Sequence, residues 1–214
     1  MSFVPELSVL AGFTLAAFIL TITPGPDMTF FMSKTLTQGR KAGLVAIAGT
    51  TNGSMIHALL AAVGISALLA ASEFAFLILK TVGALYLVYI AYQLLRNGSS
   101  FSLEEGQAPS ETSRVIWAKA IMINLLNPKV VLFFVTFLPQ FVSATDPNAT
   151  AKLLFLGFFF VFLSIPSCLA IMFSASAVSN FLRSSPRVMR LLDYSFAAIM
   201  AAFAVKLLSA RSTA

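Results

Sequence analysis

Apolar residues form six long runs along the chain, separated by shorter polar segments. The runs lie at about Leu7–Met32, Ala42–Leu69, Phe74–Leu95, Val115–Val142, Leu153–Leu182 and Val188–Leu208. Each is at least as long as the roughly 20 residues that cross a bilayer as a helix. The pattern therefore predicts an all-α integral membrane protein, a single domain of six transmembrane helices over residues 1–214.

The first run is interrupted by the segment Leu20–Phe31, LTITPGPDMTFF, which places two prolines, a glycine and an aspartate among apolar residues. Broken helical backbone is tolerated at membrane depth only where protein or a water-filled cavity satisfies its free N–H and C=O groups. Proline fits the first position of a new helix, and Thr23 or Gly25 can cap it. We expect this break to line a cavity. Its candidate substrate-binding residues are Thr23, Pro24, Gly25, Pro26 and Asp27.

Asp27 stands in the first turn of the new half-helix. An ionisable side chain within a membrane span is costly enough to be a functional hypothesis by default. The alternative is a simple proline kink whose aspartate reaches toward the interface. Desolvation favours proton uptake by a carboxylate, which makes Asp27 a natural proton carrier.

A second break lies in the fourth run, at Asn124–Val131, NLLNPKVV. Asn127 is a favourable cap and Pro128 suits the first helical position. Lys129 lies about 15 Å beyond Lys119 at helical rise, although a long lysine stem can also carry its charge to the interface. Asn127, Pro128 and Lys129 are thus further candidates for substrate binding. A carboxylate at one break and an ammonium at the other suit a zwitterion.

The two breaks also suggest an internal repeat. The segment PDMTFFMS from Pro26 aligns with PKVVLFFV from Pro128, although two apolar helices can match by chance. The polar segment 97–113 separates the chain into repeat one, residues 1–96, and repeat two, residues 114–214. Three spans per repeat is an odd number, so the second copy must be inverted in the membrane. The predicted fold has two inverted three-helix repeats with broken first and fourth helices.

Basic residues are distributed unevenly over the two sides of the predicted membrane. One side carries Lys34, Arg40, Lys41, Arg96, Arg114, Lys119, Arg183, Arg187 and Arg190; the other carries Lys152, Lys206 and Arg211. The positive-inside rule places the linker in the cytoplasm and both termini outside. Because topology accounts for the net charge of +6, a nucleic-acid partner is not indicated.

The second run carries glycines at the spacing that lets helices approach closely. Gly49, Gly53 and His57 share one helix face, whereas Asn52 is turned from His57 by about 140°. His57 is either a bonded interior histidine or a second proton carrier. Ser54 lies three residues before His57, but no nucleophile elbow accompanies the pair, so an intramembrane hydrolase is disfavoured.

Other chemistry is poorly represented in the chain. Its one cysteine, Cys168, cannot form an intrachain disulfide, and no CxxC pair occurs. The chain has no GxxxxGK[ST] phosphate loop, so we expect uphill transport to depend on an ion gradient. The first apolar run is longer than the core of a signal peptide and is expected to remain as the first span. No cofactor, metal or enzymatic activity is predicted.

The sequence resembles the LysE/RhtB superfamily of bacterial amino-acid exporters. The resemblance rests on TPGPD at Thr23–Asp27, NPK at Asn127–Lys129, the glycine-rich stretch Ala48–Asn52, TVGALYLVYIAY at Thr81–Tyr92 and FLPQF at Phe137–Phe141. It implies multi-pass insertion in the bacterial inner membrane and efflux of amino acids or their derivatives. It also implies proton antiport and assembly as a homo-oligomer. Asn52, in the glycine-rich stretch, joins the candidate substrate-binding residues.

Two other classes stay open on sequence grounds. A divalent-cation exporter of related architecture needs several inward carboxylates or sulfurs, and the spans offer little beyond Asp27. A scaffold or assembly factor that transports nothing would not need opposite charges at two breaks.

The first prediction concerns orientation. Because basic residues concentrate on the linker side, alkaline phosphatase fused to the C-terminus should be active and green fluorescent protein at the same position should stay dark. The matched control is the same pair of reporters inserted in the linker, where the opposite result is expected. An inactive phosphatase with a fluorescent C-terminal fusion would contradict the orientation.

Overall fold

The computed structural model describes residues 4–71, 110–143 and 146–209, together with residues 78, 81, 82, 84, 85, 88, 89, 91–93, 95 and 96. All secondary structure in this described part is helical. The predicted third run is described only at those scattered positions, which are helical. Most of the predicted linker, residues 97–109, lies outside the described residues.

The first predicted span is a broken helix. Helix α1 covers Leu7–Ile22 and α2 covers Pro26–Gln38, and the two meet at an angle of 51°. Thr23 and Gly25 adopt extended backbone conformations, so the helical hydrogen-bond ladder stops there. Pro26 then begins α2, as expected of a residue with helical φ and no N–H to satisfy.

Helix α3 covers Arg40–Ala71 and follows α2 after a single residue. That residue, Gly39, has φ of +86°, a conformation that side-chain-bearing residues rarely adopt. The glycine thus permits the sharp turn between α2 and α3.

The fourth predicted span is also broken. Helix α4 covers Ser113–Leu125, and α5 covers Pro128–Leu132. The chain continues as a π-helical turn at Phe133–Phe137 and a 3₁₀ turn at Leu138–Phe141. The second limb, Pro128–Phe141, is bent from α4 by 52°. The two predicted breaks are therefore present, and each second limb begins at a proline.

The fifth predicted run, Leu153–Leu182, differs from the structure. Helix α6 covers Ala149–Phe173 and ends at Ser174, and a separate helix α7 covers Ala175–Ser184. The non-helical backbone of Ser174 breaks the run, and α7 has apolar residues on one face only. Helix α8, Pro186–Ser209, matches the sixth predicted run closely.

Two helices among the described residues are long and apolar enough to cross a membrane, Arg40–Ile65 within α3 and Ala149–Phe173. The count reaches four if each bent pair forms one span. The outer surface carries many large apolar side chains, including Leu15, Phe18, Leu60 and Phe162. Contiguous apolar surface around buried polar groups is what a lipid-facing protein presents.

Helix α3 is the centre of the packing and contacts α2, α4 and α6. Glycines set its separation from two of these neighbours. A Cβ atom on Gly49 would lie 2.5 Å from Ala120 Cβ and from the Trp117 carbonyl oxygen of α4, and one on Gly157 of α6 would lie 2.7 Å from Ala58 Cβ. The glycines of the second run therefore serve close helix contact, as their spacing predicts.

Two apolar clusters fill the interior. One is rich in phenylalanine and joins α1, the π turn and α6, with the rings of Phe133 and Phe160 only 4.3 Å apart at their centroids. The other joins α2, α3, α4 and α7 and includes Phe31 and Met32. The two helix breaks lie where these clusters meet.

Ion pairs and a hydrogen bond of Glu111 connect the segment before α4 to α2. One oxygen of Glu111 accepts hydrogen bonds from Lys34 at 3.1 Å and Lys119 at 3.0 Å, and the Glu111 backbone N–H donates to Gln38 Oε1. Partial burial raises the pKa of Glu111, but the hydrogen bonds from Lys119 and Lys34 outweigh burial and hold the pKa below its usual value.

The second prediction tests the glycine contact between α3 and α4. Gly49→Ala should lower the unfolding temperature, because overpacking against backbone costs about 1–3 kcal/mol. Gly64→Ala on the same helix is the matched control, since in the described part of the chain no atom beyond the neighbouring backbone of α3 lies within 4 Å of its added Cβ. The roughly 1 kcal/mol gain in helix propensity applies to both variants and cancels. Equal unfolding temperatures of the two purified variants in detergent would contradict the packing.

Candidate functional site

A cavity of about 60 Å³ lies where the two broken helices meet. Its described lining residues are Leu20, Thr21, Gly25, Asp27, Met28, Phe31, Thr50, Thr51, Ser54, Asn124, Lys129, Val130, Phe160, Ser164 and Cys168. At about 10–15 Å³ for each water on this measure, the space suits several water molecules. The lining draws on both apolar clusters and on both breaks.

Asp27 reaches this cavity from the first turn of α2. Its Oδ2 accepts a hydrogen bond of 2.7 Å from Asn124 Nδ2 of α4. Its Oδ1 is buried and has no hydrogen-bond partner among the described residues. One oxygen of the carboxylate is thus held by the protein, and the other remains available to a ligand.

Lys129 reaches the cavity from the opposite break. Its ammonium donates to the backbone carbonyls of Leu20 at 2.9 Å and Thr23 at 2.6 Å. These carbonyls belong to the end of α1, where the helix dipole places partial negative charge. An ammonium has three donors, so one remains beyond these two bonds.

Asp27 and Lys129 therefore line one cavity, although straight helices would place them at different depths. The helices bend by 51° and 52° at the two breaks, and one charged residue from each break lines the cavity. The described residues include no direct ion pair between the two. Each charge is held by groups of the other half of the chain, Asp27 by Asn124 and Lys129 by the carbonyls of Leu20 and Thr23.

The other predicted residues of the first break take different positions. Thr23 is buried and contributes its carbonyl to Lys129. Gly25 lines the cavity, and a Cβ atom there would lie 3.3 Å from Lys129 Nζ, so the absence of a side chain allows the close approach. Pro24 and Pro26 are not among the lining residues and shape the break itself.

At the second break, Asn127 acts as the helix cap. Its Oδ1 accepts a hydrogen bond of 3.1 Å from the Lys129 backbone N–H, and Pro128 opens α5. The side chain of Asn127 is buried, and its Nδ2 has no partner among the described residues. Neither Asn127 nor Pro128 lines the cavity.

His57 lies beside the cavity rather than in its lining. Its Nε2 is 3.3 Å from the Asn124 carbonyl oxygen, and its ring stacks on Phe134 with centroids 5.5 Å apart. Gly49, Gly53 and His57 all face α4, as the helical spacing predicts. Asn52 is half-buried and is not among the lining residues, and its role in substrate binding stays a prediction.

Sequence analysis missed several polar residues of the cavity. They are Thr21, Thr50, Thr51, Ser54, Asn124 and Ser164. The hydroxyls of Thr50 and Ser164 donate to carbonyls of their own helices, so they resemble ordinary polar residues of a membrane helix. Asn124 carried a detectable signal, because an amide three residues before the Asn127 cap is unusual in an apolar run.

The described residues contain no group of three or more His, Cys, Asp and Glu side chains that could hold a metal ion. Two side chains of opposite charge, Asp27 and Lys129, instead line a cavity at the junction of two broken apolar helices. Discontinuous helices that expose charge and free backbone groups within the membrane are a feature of secondary transporters. The fold and the cavity thus define a multi-pass membrane transporter.

Comparison with known proteins identifies the family. The LysE type translocator family matches residues 18–211, and the chain belongs to this family. It is therefore a multi-pass transporter of the bacterial inner membrane and not an enzyme.

Three relatives each match most of the chain. A leucine efflux protein of Enterobacter sp. (strain 638) is 26% identical over 92% of this chain and 93% of its own length. A homoserine/homoserine lactone efflux protein of Salmonella typhimurium (strain LT2) is 28% identical over 94% and 96%. The uncharacterized membrane protein YrhP of Bacillus subtilis (strain 168) is 32% identical over 74% and 78%. No solved structure matches the chain.

Proposed function

We propose that this protein exports amino acids or amino-acid derivatives from the cell in exchange for protons. The observation that carries the proposal is the joint presence of Asp27 and Lys129 in one cavity between two helix breaks. The efflux activities named for the leucine and homoserine relatives agree with it. An amino acid carries one positive and one negative group, and the cavity offers one partner for each.

The substrate α-ammonium binds at Asp27. Oδ1 of this carboxylate is buried without a partner among the described residues, and Asp27 is one of the residues that line the cavity. A charge-assisted hydrogen bond to this oxygen would be roughly twice as strong as a neutral one.

The substrate carboxylate binds at Lys129. The ammonium uses two donors on the end of α1 and keeps the third for the ligand. Because Gly25 has no side chain, the substrate can approach Nζ from the side of the first break. Thr23 and Gly25 therefore contribute backbone and space to this site.

Proton exchange occurs at Asp27. A carboxylate that binds either a proton or the substrate ammonium cannot hold both at full strength, so the two compete for Oδ1. Competition of this kind links export of substrate to import of a proton. His57 reaches the same network through the Asn124 carbonyl and is a second place for the proton.

The proposed architecture is a pair of inverted three-helix repeats. The similar bends, the prolines that begin both second limbs and the 102-residue offset between Pro26 and Pro128 support it. A cavity at the junction of two such repeats is where secondary transporters bind substrate. The linker faces the cytoplasm, both termini face outward, and the protein assembles as a homo-oligomer.

The third prediction concerns proton coupling. Asp27→Asn keeps the shape of the side chain but cannot carry a proton, so amino-acid movement driven by a pH gradient in proteoliposomes should fall to background. The matched control is Asp146→Asn, which removes a carboxylate bonded to Lys152 outside the cavity. This control should transport normally. Wild-type rates and pH dependence in Asp27→Asn would exclude Asp27 from coupling.

The fourth prediction concerns the substrate carboxylate. Lys129→Gln should weaken amino-acid binding by roughly 1.5–3 kcal/mol, the value of a charged hydrogen bond. The loss should largely disappear for the corresponding amino-acid amide, because that ligand lacks the carboxylate. Equal losses for acid and amide would mean that Lys129 only supports the break, through the carbonyls of Leu20 and Thr23.

The same proteoliposomes separate the remaining classes of function. Protein-dependent movement of an amino acid along its gradient supports the exporter. Movement of manganese or cadmium without amino-acid movement would support a cation exporter instead. Absence of both from reconstituted, folded protein would favour a scaffold.

A further inference from the structure

Asn124 is the polar residue that joins the two helix breaks. It lies in the last turn of α4, and the residue is buried, with 2% of its surface exposed. The amide donates to Asp27 Oδ2 at 2.7 Å and accepts a longer hydrogen bond of 3.4 Å from Ser54 Oγ. The side chain of one residue therefore connects α2, α3 and α4.

The orientation of this amide follows from its neighbours. An ionised carboxylate only accepts hydrogen bonds, so Nδ2 must face Asp27. The remaining Oδ1 then meets the Ser54 hydroxyl, which is a donor. Both partners require the same orientation, and the amide is fixed by two contacts on opposite sides.

The backbone of Asn124 is also part of the second break. Its carbonyl oxygen accepts from the Asn127 N–H at 3.1 Å and lies 3.3 Å from His57 Nε2. A change in the angle between α4 and α5 must therefore alter the position of this residue. The amide transmits that change to Asp27.

Space for the amide is provided by Gly53 on α3. A Cβ atom at this position would lie 2.6 Å from Asn124 Oδ1 and 2.9 Å from Asn124 Cγ. Any side chain there would push the amide away. Gly53 thus sets the distance at which Asn124 meets Asp27.

We infer that Asn124 is a positioning residue for transport: its amide holds Asp27 Oδ2 so that Oδ1 is presented to the substrate and the proton. The inference rests on the proposed function and assigns to the second break a direct effect on the carboxylate of the first. An amide does not change charge between about pH 4 and 9. Asn124 therefore remains a hydrogen-bond donor while Asp27 binds and releases the proton and the substrate ammonium.

Four variants test the inference. Asn124→Leu removes the donor at similar volume, and Asn124→Asp restores an O–H donor only while the pair of carboxyls shares a proton. Gly53→Ala displaces the amide without removing a polar group. Gly64→Ala is the matched control, since it adds the same methyl to α3 where no described residue outside the adjoining turns of α3 lies within 4 Å.

The transport readout is the pH profile in proteoliposomes. Asn124→Leu and Gly53→Ala should lower the maximal rate about tenfold or more at every pH, as expected for loss of a charged hydrogen bond. Asn124→Asp should recover export at acidic pH only.

The other titratable groups around Asp27 among the described residues are His57 on α3, Lys129 on α5 and Cys168 on α6, and all four variants leave them unchanged. The described lining residues of α1 and α4 include none.

Identical pH profiles for Asn124→Asp and Asn124→Leu would overturn the inference, as would equal rates for Gly53→Ala and Gly64→Ala. Asn124→Asp and Gly53→Ala decide the matter if Asn124→Leu does not fold.

A second readout needs no transport. The infrared carboxyl band of Asp27 in purified protein, assigned by its loss in Asp27→Asn, should be displaced in Asn124→Leu and Gly53→Ala but unchanged in Gly64→Ala. An unchanged band in both altered variants would overturn the contact itself. Failure of the wild type to move any amino acid would refute the proposed function, and the infrared comparison would still decide whether Asn124 positions Asp27.

Discussion

The structure depends on how backbone groups are satisfied where helices break inside an apolar environment. Each unpaired N–H or C=O in hydrocarbon costs several kcal/mol, so a break needs polar partners. Lys129 supplies them for the end of α1 by binding the carbonyls of Leu20 and Thr23. Asn127 caps α5 at the other break. Lys129, which satisfies the carbonyls of the first break, also brings a positive charge to the cavity.

This dual use explains why the two breaks must lie together. Lys129 belongs to the second half of the chain but completes the first break, and Asn124 of the second half holds the carboxylate of the first. If the halves separated, both charges would lose their partners in a medium of low dielectric constant, where an uncompensated charge is very costly. A change in either break is thereby coupled to the other.

Close packing makes the contact possible. Gly49, Gly53 and Gly157 let α3 approach α4 and α6 so nearly that a single methyl group would clash. The short separation between α3 and α4 brings Ser54 and His57 within reach of Asn124. Without these glycines, the polar groups of α3 could not share a network with Asp27. Helix packing and the chemistry of the cavity therefore depend on the same residues.

The sequence by itself determined the membrane class, both helix breaks and the charged residues at them. These features are local: proline and glycine interrupt an apolar helix wherever they occur, and a charge in such a run needs a polar environment. The length of the fifth run was predicted less well, because a continuous apolar pattern does not reveal the turn at Ser174. Only the tertiary structure decided that Asp27 and Lys129 line one cavity and that Asn124 of the second half of the chain holds the Asp27 carboxylate. Those relations depend on bend angles and on helix separations set by residues far apart in the chain, which a periodic pattern along one helix cannot encode.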